Sequence, residues 1–95
     1  MDIALGQVVY SKVGRDAGRK FIIYDIIDDA YVVIADGDLR RIDKPKKKKL
    51  KHLGITSEII VTLNEKLVNK HKVTNSEIRK ALAALNSDEQ AACEQ

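Results

Sequence analysis

One segment of the chain, residues 19–27, is apolar on both faces when it is written as a strand, and this constrains the fold more than any other feature. Successive side chains of a strand point to opposite faces. One face carries Phe21, Ile23 and Ile27, and the other carries Ile22, Tyr24 and Ile26. A sheet built on this strand must therefore be covered on both sides. We expect one face to fill a small barrel and separate elements to cover the other.

Shorter strand patterns flank this segment and predict an antiparallel meander of four or five strands in all. Residues 6–13 and 30–35 are rich in β-branched and aromatic side chains, which favour strands. Weaker patterns place short strands near 39–42 and at 50–53. The meander makes the predicted fold class mainly β, with a small barrel as its centre.

The turns of the meander are marked by glycines and aspartates. Gly14 and Gly18 favour a tight, exposed turn with a basic tip, because glycine adopts positive φ angles without strain. Aspartates at 28–29 and an Asp-Gly-Asp sequence at 36–38 are typical of the later turns. Pro45 lacks the amide hydrogen that a strand ladder requires, so the lysine run after it is expected to leave the sheet as a loop or an edge.

A first helix is predicted from a cap at Thr56 or Ser57 to about Asn69, because apolar side chains recur there at helical spacing. These side chains are Ile59, Ile60, Leu63 and Leu67. The helix is one of the elements expected to cover the outer face of the sheet.

A second helix is predicted to begin at Asn75. Thr74 and Glu77 have the spacing of a capping box, and Val73 and Ile78 occupy the two positions of a hydrophobic staple. The residues expected on its buried face are Ile78, Ala81, Leu82 and Leu85. The Asn-Ser-Asp sequence at 86–88 is the predicted stop of the helix.

These elements predict one small domain in the 95 residues, with a barrel at 1–55, a helical pair at 56–86 packed on it, and a flexible tail at 87–95. Cys93 is the only cysteine, which excludes an intramolecular disulfide and suits a reducing compartment. The first residues lack the pattern of a secretion signal, and no apolar run approaches the roughly 18 residues of a membrane span. We therefore expect a cytoplasmic protein without a membrane partner.

The positive charge of the chain is concentrated in one short stretch. Residues 40–52 carry eight basic side chains and one acidic one, a net charge of +7, although the whole chain carries only +3. Like charges this close repel one another unless a polyanion neutralises them. The stretch therefore indicates a phosphate-binding surface, and the alternative is a solvated basic loop without a partner.

The sequence contains no recognisable catalytic or metal-binding motif. His52 and His71 are the only histidines and lie far apart, and the aspartates lack the spacing of a calcium loop. The glycines of the first turn precede a strand, whereas a phosphate-cradling loop precedes a helix. We expect no enzyme activity, no metal and no cofactor. His52 adjoins the basic stretch and either contacts phosphate or a base, or is a surface histidine without a role.

An ordered set of short segments in the first half of the chain forms one pattern. It begins at residues 5–9, Leu-Gly-Gln-Val-Val, and continues through 13–19, Val-Gly-Arg-Asp-Ala-Gly-Arg, into the apolar strand. These segments resemble the KOW motif of RNA-binding proteins. The resemblance extends through residues 33–37, Arg40-Arg41 and residues 49–53. This fuller pattern, about residues 3–54, is similar to the family of large-subunit ribosomal protein fourteen of eukaryotes and archaea and to its small bacterial relatives.

The resemblance implies an SH3-like barrel that binds RNA through a loop centred on a glycine. Gly18 matches the motif glycine, and Arg15, Arg19 and Lys20 match the basic loop positions. With the basic stretch added, the predicted RNA-binding residues are Lys12, Arg15, Arg19, Lys20, Arg40, Arg41, Lys44, Lys46, Lys47, Lys48, Lys49, Lys51 and His52, with Gly14 and Gly18 as motif glycines.

The leading hypothesis is a non-enzymatic RNA-binding protein associated with ribosomal or other structured RNA, in which the basic stretch supplies affinity and the loop at 14–18 supplies position. Most of the few aromatic side chains are expected in the core, which favours recognition of shape and backbone over base stacking. Ribosomal proteins are candidate partners beside the RNA. One alternative function is an adaptor that binds a protein partner through the helix pair or the barrel. Another is a nuclear-import signal or lipid-surface patch at 44–49. The sequence predicts no oligomeric state.

Overall fold

The protein folds into one antiparallel sheet followed by two helices. The computed structural model describes the backbone of residues 3–15 and 17–94 and the side chains of residues 3–15 and 17–85. The elements are β1 (Gln7–Ser11), β2 (Lys20–Ile26), β3 (Tyr31–Ala35), β4 (Lys46–Lys49), a 3₁₀ turn (Leu50–His52), β5 (Leu53–Ile59), α1 (Val61–Val68) and α2 (Asn75–Glu94). The strands lie in the order β4-β3-β2-β1-β5. This architecture confirms the predicted mainly β fold class with C-terminal helices, and it is consistent with a small barrel-like domain.

The two apolar faces of β2 are covered by different parts of the chain, as predicted. Phe21 and Ile23 are buried in the barrel interior with the side chains Val9, Val32, Ile34, Leu50 and Leu53. Ile22, on the opposite face, belongs to a second cluster that includes Leu63 of α1 and both Ile78 and Leu82 of α2. The helices therefore form the outer cover of the sheet.

The end of β2 departs from this pattern. A β-bulge between Ile23 and Asp25 shifts the register with β3. Ile26 is 37% exposed and Ile27 is 47% exposed, so the prediction that both need covering is wrong. The two side chains lie next to the hairpin turn at the end of the sheet and belong to neither hydrophobic cluster.

The strand predicted near 39–42 is absent, because side chains bind its backbone. The Asp36 carboxylate accepts hydrogen bonds from the amides of Asp38 and Arg40, at 3.0 and 2.8 Å, and holds the segment as a turn. The amide of Ile42 donates to the side chain of Asn75 on α2 at 2.8 Å instead of to a neighbouring strand. The fourth strand is the lysine run itself.

β4 is an edge strand, which was one of the two structures expected for the lysine run. It pairs with β3 and ends the sheet. The strand predicted at 50–53 is wrong in its first three residues, since these form the 3₁₀ turn and β5 begins only at Leu53. The cause is a long-range contact, because Leu50 donates its amide hydrogen to the Ala30 carbonyl at 2.8 Å and buries its side chain in the barrel.

The first helix begins later than predicted, because Thr56 belongs to the sheet. The Thr56 hydroxyl donates to the carbonyl of Val8 at 2.6 Å, and the Thr56 carbonyl accepts from the side chain of Gln7 at 2.7 Å. β5 thus continues along β1 to Ile59, past the predicted end of the barrel at residue 55. α1 starts only at Val61 and ends beside Asn69, where its end was predicted. The division of the chain into domains stays a prediction.

The start of α2 is predicted correctly, and its end is not. The Glu77 amide donates to the Thr74 hydroxyl at 3.1 Å, and the staple residues Val73 and Ile78 are buried. The helix continues to Glu94, past the stop predicted at 86–88, since asparagine, serine and aspartate are only mildly unfavourable inside a helix. The flexible tail predicted for 87–95 lies outside the described side chains. Within the described chain, no helix has both the length and the apolar character to cross a membrane.

Candidate nucleic-acid interface

The tip of the β1–β2 hairpin extends basic side chains into solvent. Gly14 and Gly18 have φ angles of 81° and 85°, which the predicted turn requires. A Cβ atom at either glycine would meet nothing within 4 Å, so the tip stands clear of the rest of the molecule. Lys12 and Arg15 are exposed on it. The predicted basic loop is therefore present and accessible.

Arg19, at the base of the same hairpin, is held by two carboxylates. Its Nε atom donates to Asp36 Oδ2 at 2.9 Å, and its Nη2 atom donates to Asp38 Oδ2 at 3.0 Å. Asp36 is 5% exposed, so the first of these charge-assisted bonds is well shielded from water. The structure thus gives Arg19 the role of linking the hairpin to the turn at 36–38. Contact between Arg19 and RNA stays a prediction.

Four more of the predicted residues lie at or near this turn. Lys20 lines a cleft of about 590 Å³, together with Arg19 and with Arg79 of α2. Arg40 is half-buried, whereas Arg41 and Lys44 are exposed. Sequence reasoning did not single out Arg79, because nothing local predicts that α2 reaches the first hairpin.

The four lysines of β4 lie on two faces of the sheet. Lys46 and Lys48 pair with residues of β3 that are buried inside the barrel, and both are half-buried. Lys47 and Lys49 point to the opposite face and are exposed. The run therefore presents two pairs of lysines, and only the exposed pair forms an open cationic surface.

Tyr31 lies beside the exposed pair of lysines and was not identified from the sequence. The Nζ atom of Lys47 is 4.6 Å from the centroid of the Tyr31 ring, and that of Lys49 is 5.9 Å from it. Both distances are within cation–π range. Tyr31 and Lys49 are cross-strand partners, so the arrangement follows from the register between β3 and β4. Only the pairing of the lysine run as a strand reveals it.

Two of the four aromatic side chains pack in the core, whereas the sequence predicted that most of them would. Phe21 is fully buried and Tyr24 packs against the outer cluster. Tyr10 is 41% exposed, and Tyr31 is half-buried at the sheet edge. The Tyr10 ring lies across Gly54, where an added Cβ atom would overlap it.

The 3₁₀ turn brings the end of the basic stretch next to the first hairpin. The Lys12 amide donates to the carbonyl of His52 at 2.9 Å. Lys51 is exposed, and His52 is half-buried. The hairpin and the 3₁₀ turn with Lys51 and His52 therefore lie side by side, and Lys49 directly precedes this turn in the chain. Among the described residues, no group of three or more His, Cys, Asp or Glu side chains is placed to hold a metal ion.

The two helices are joined by an ion pair that involves the capping box. Lys66 of α1 donates to Glu77 of α2 at 2.5 Å. This hydrogen bond, with the charge of Lys66 and hydrogen bonds from Thr74, lowers the pKa of Glu77, although desolvation opposes the shift. The pair ties α1 to the start of α2.

Comparison with known proteins decides the family. No family model matches the chain. The large ribosomal subunit protein eL14 of Pyrobaculum aerophilum is 32% identical over 82 residues, which cover 86% of this chain and 73% of that protein. The eL14 protein of Pyrobaculum calidifontis matches with the same identity and coverage. The chain belongs to the eL14 family.

Coverage of the eL14 relatives differs with the relative. The eL14 protein of Desulfurococcus amylolyticus is 40% identical over 58 residues, which cover 61% of this chain. The matched part is 60% of that protein, so the chain spans less than two thirds of this eL14 relative. The resemblance to the ribosomal protein family is thereby confirmed.

Proposed function

We propose that the chain is a non-enzymatic RNA-binding protein of the large ribosomal subunit that contacts ribosomal RNA through its basic stretch and first hairpin. The eL14 relatives are proteins of the large ribosomal subunit, which supports a structural role there. Its partners would be ribosomal RNA and neighbouring ribosomal proteins, and its location the cytoplasmic ribosome.

The observation that carries this proposal is the +7 charge of residues 40–52, set out along an edge strand and a surface turn. Lysines fixed on a sheet edge lose less freedom on binding than lysines of a mobile loop. Lys47, Lys49 and Lys51 are exposed, and the Lys12 amide of the first hairpin is hydrogen-bonded to the turn that carries Lys51. Phosphate contacts of this kind provide affinity, and the shape of the hairpin would set the position on the RNA.

Salt dependence tests the proposal. If five to seven of the basic residues in the stretch each neutralise a phosphate, the log–log slope of affinity for a ribosomal RNA fragment against salt should be about −3.5 to −6. Replacing all four lysines of β4 with serine should flatten this slope by about two to three units. The control replaces Lys70 and Lys72, two exposed lysines outside the stretch, with serine; it removes half as many charges as the β4 variant and should leave the slope nearly unchanged.

Co-sedimentation gives the second arm of this test. Wild-type protein should migrate with purified large ribosomal subunits at moderate salt and leave them at high salt. A slope near zero for the wild type, or equal slopes for the β4 variant and its control, would contradict the proposal.

The adaptor alternative has one observation in its favour. Val61 and Val68, on α1, are 62% and 58% exposed. Isolated exposed apolar residues are common, so this supports a protein contact only if binding depends on them. Binding to a ribosomal protein that resists high salt, and that is lost when both valines become serine, would favour the adaptor.

A further inference from the structure

We propose that the cleft beside Tyr31 binds one unpaired nucleobase of RNA by stacking, and this inference rests on the proposed function. The cleft has a volume of about 440 Å³ and is lined by Asp29, Ala30, Tyr31, Lys49, Leu50 and Lys51. Small-ligand sites have volumes of about 300–1,000 Å³, so the cleft is of the size for a single nucleotide and excludes a duplex.

The lining of the cleft combines an aromatic ring with apolar contacts. Tyr31, Ala30 and Leu50 line it, Tyr31 is half-buried, and Leu50 is 8% exposed. Every nucleobase has an aromatic face that stacks on such a ring. The strand register fixes the backbone of Tyr31, and the Tyr31 amide donates to the Asp28 side chain at 2.8 Å, so the backbone that carries the ring is in place before RNA arrives.

The charges around the cleft determine which part of a nucleotide enters it. Lys49 and Lys51 line it, and Lys47 reaches the Tyr31 ring from the same face of the sheet. Ammonium groups neutralise phosphates, which places the RNA backbone along these lysines. Asp29 also lines the cleft, and a carboxylate repels phosphate but accepts hydrogen bonds from amino groups of bases. The base therefore enters, and the phosphates remain outside.

This site goes beyond recognition of shape and backbone, which is what the sequence predicted. An unpaired base occurs in loops, bulges and ends of structured RNA, where aromatic side chains commonly stack on it. The site gives the edge of the barrel a preference for such places over a regular duplex.

A pair of oligomers tests the inference. One is a single-stranded RNA of 12 or so nucleotides, and the other is an abasic ribose-phosphate oligomer of the same length and charge. Tyr31→Leu removes the ring, and it should weaken binding to the RNA about 5- to 140-fold, the range that corresponds to one base–aromatic stack. Binding of this variant to the abasic oligomer should equal that of the wild type. The salt slope should not change, because no phosphate contact is lost.

Two further variants act as controls for this experiment. Tyr31→Phe keeps the ring and should retain wild-type affinity for the RNA. Tyr10→Leu removes a tyrosine that is 41% exposed and does not line the cleft, and it should leave the preference for RNA over the abasic oligomer intact. Thermal melting of each variant checks that the fold is preserved.

The outcomes separate the inference from the proposed function. Equal wild-type affinity for both oligomers, with a steep salt slope, would overturn base stacking and leave RNA binding standing. Equal losses for Tyr31→Leu and Tyr31→Phe would overturn it as well, because the hydroxyl and not the ring would then be responsible. Absence of wild-type binding to either oligomer and to ribosomal RNA would overturn the proposed function itself.

Discussion

At the scale of single residues, the same amino-acid type has different roles according to its surroundings. Arg15 and Arg19 both match basic positions of the KOW loop, yet Arg15 is exposed and Arg19 is held by Asp36 and Asp38. The sequence predicted the basic loop because its glycines and charges are local. It did not predict the carboxylate partners of Arg19, which lie 17 and 19 residues away.

Two glycines allow the effect of backbone conformation on stability to be separated from the effect of a steric contact. Gly18 and Gly37 both have positive φ angles, of 85° and 76°. At Gly18 a methyl group would meet open space, whereas at Gly37 it would lie 2.3 Å from the carbonyl oxygen of Asn75 on α2. Gly18→Ala should therefore lower the free energy of unfolding by about 1–2 kcal/mol, from backbone strain alone. Gly37→Ala should lower it by clearly more, because the turn must also move away from α2.

Urea denaturation of the two variants under identical conditions measures this difference. Equal losses would mean that the contact between the turn and α2 relaxes without a penalty. The Gly37 variant should in that case also retain the packing of α2 on the sheet.

At the scale of elements, the sequence correctly predicted the helix start that depends on neighbouring residues. It did not predict the part of β5 that depends on distant partners. Thr74 and Glu77 are three residues apart, and the helix they cap begins where the sequence predicts. Thr56 carries the same type of capping side chain, but its partners Gln7 and Val8 lie 49 and 48 residues earlier. A cap can be predicted from its own neighbourhood, whereas a strand that needs a distant partner cannot. The lysine run likewise forms a strand because it pairs with β3.

The alternation of lysines along β4 predicts unequal contributions to RNA binding. Replacing Lys47 and Lys49 with glutamine should flatten the salt slope by about 1.5–2 units, since both are exposed on one face. The same change at Lys46 and Lys48 should flatten it by less than half as much. Filter binding of the two double variants to one RNA fragment over a range of salt makes the comparison. Identical slopes would show that the face of the sheet does not matter.

The ion pair between the helices predicts a dependence of stability on acid. The pKa of Glu77 is lowered in the folded protein, so the unfolded state binds more protons between the two pKa values, and stability rises with pH across that interval. The contribution should be complete above the ordinary value of 4.5 and should be lost as the pH falls below it. Urea denaturation from pH 3 to 7 or so, with Glu77→Gln as the reference, measures it. A constant difference between the two proteins over this range would contradict the prediction.

At the scale of the whole molecule, the apolar residues on both faces of β2 correctly predicted a barrel interior on one side of the sheet and a cover on the other. A strand that is apolar on both faces requires an interior and a cover, and the barrel cluster and the helix cluster supply them. The transition from β5 to α1 lies later than the sequence predicted, because β5 continues to Ile59 before the chain turns into α1. Its place depends on pairing with β1, which the sequence of this segment alone does not reveal.

Removal of the helices tests whether they are a structural cover. A fragment of residues 1–60 keeps all five strands and exposes the outer faces of Val8, Ile22 and Ala35. It should bind a hydrophobic dye and melt well below the full chain, because the burial provided by Leu63, Ile78 and Leu82 is lost. The full chain with Leu82→Ala, a loss of about 2–4 kcal/mol, provides an intermediate case. A fragment that melts like the full chain would make the helices an independent unit.

The position of β4 has one further consequence, which concerns the protein before it meets RNA. No described strand pairs with the outer edge of β4, so its backbone groups are open to strand addition by another molecule. Two such edges would bring eight lysines together, and this repulsion keeps copies of the chain apart. RNA bound to these lysines, as proposed, would neutralise the same charges only as it covered them. The lysines would therefore protect the free protein from edge-to-edge association until assembly makes that protection unnecessary.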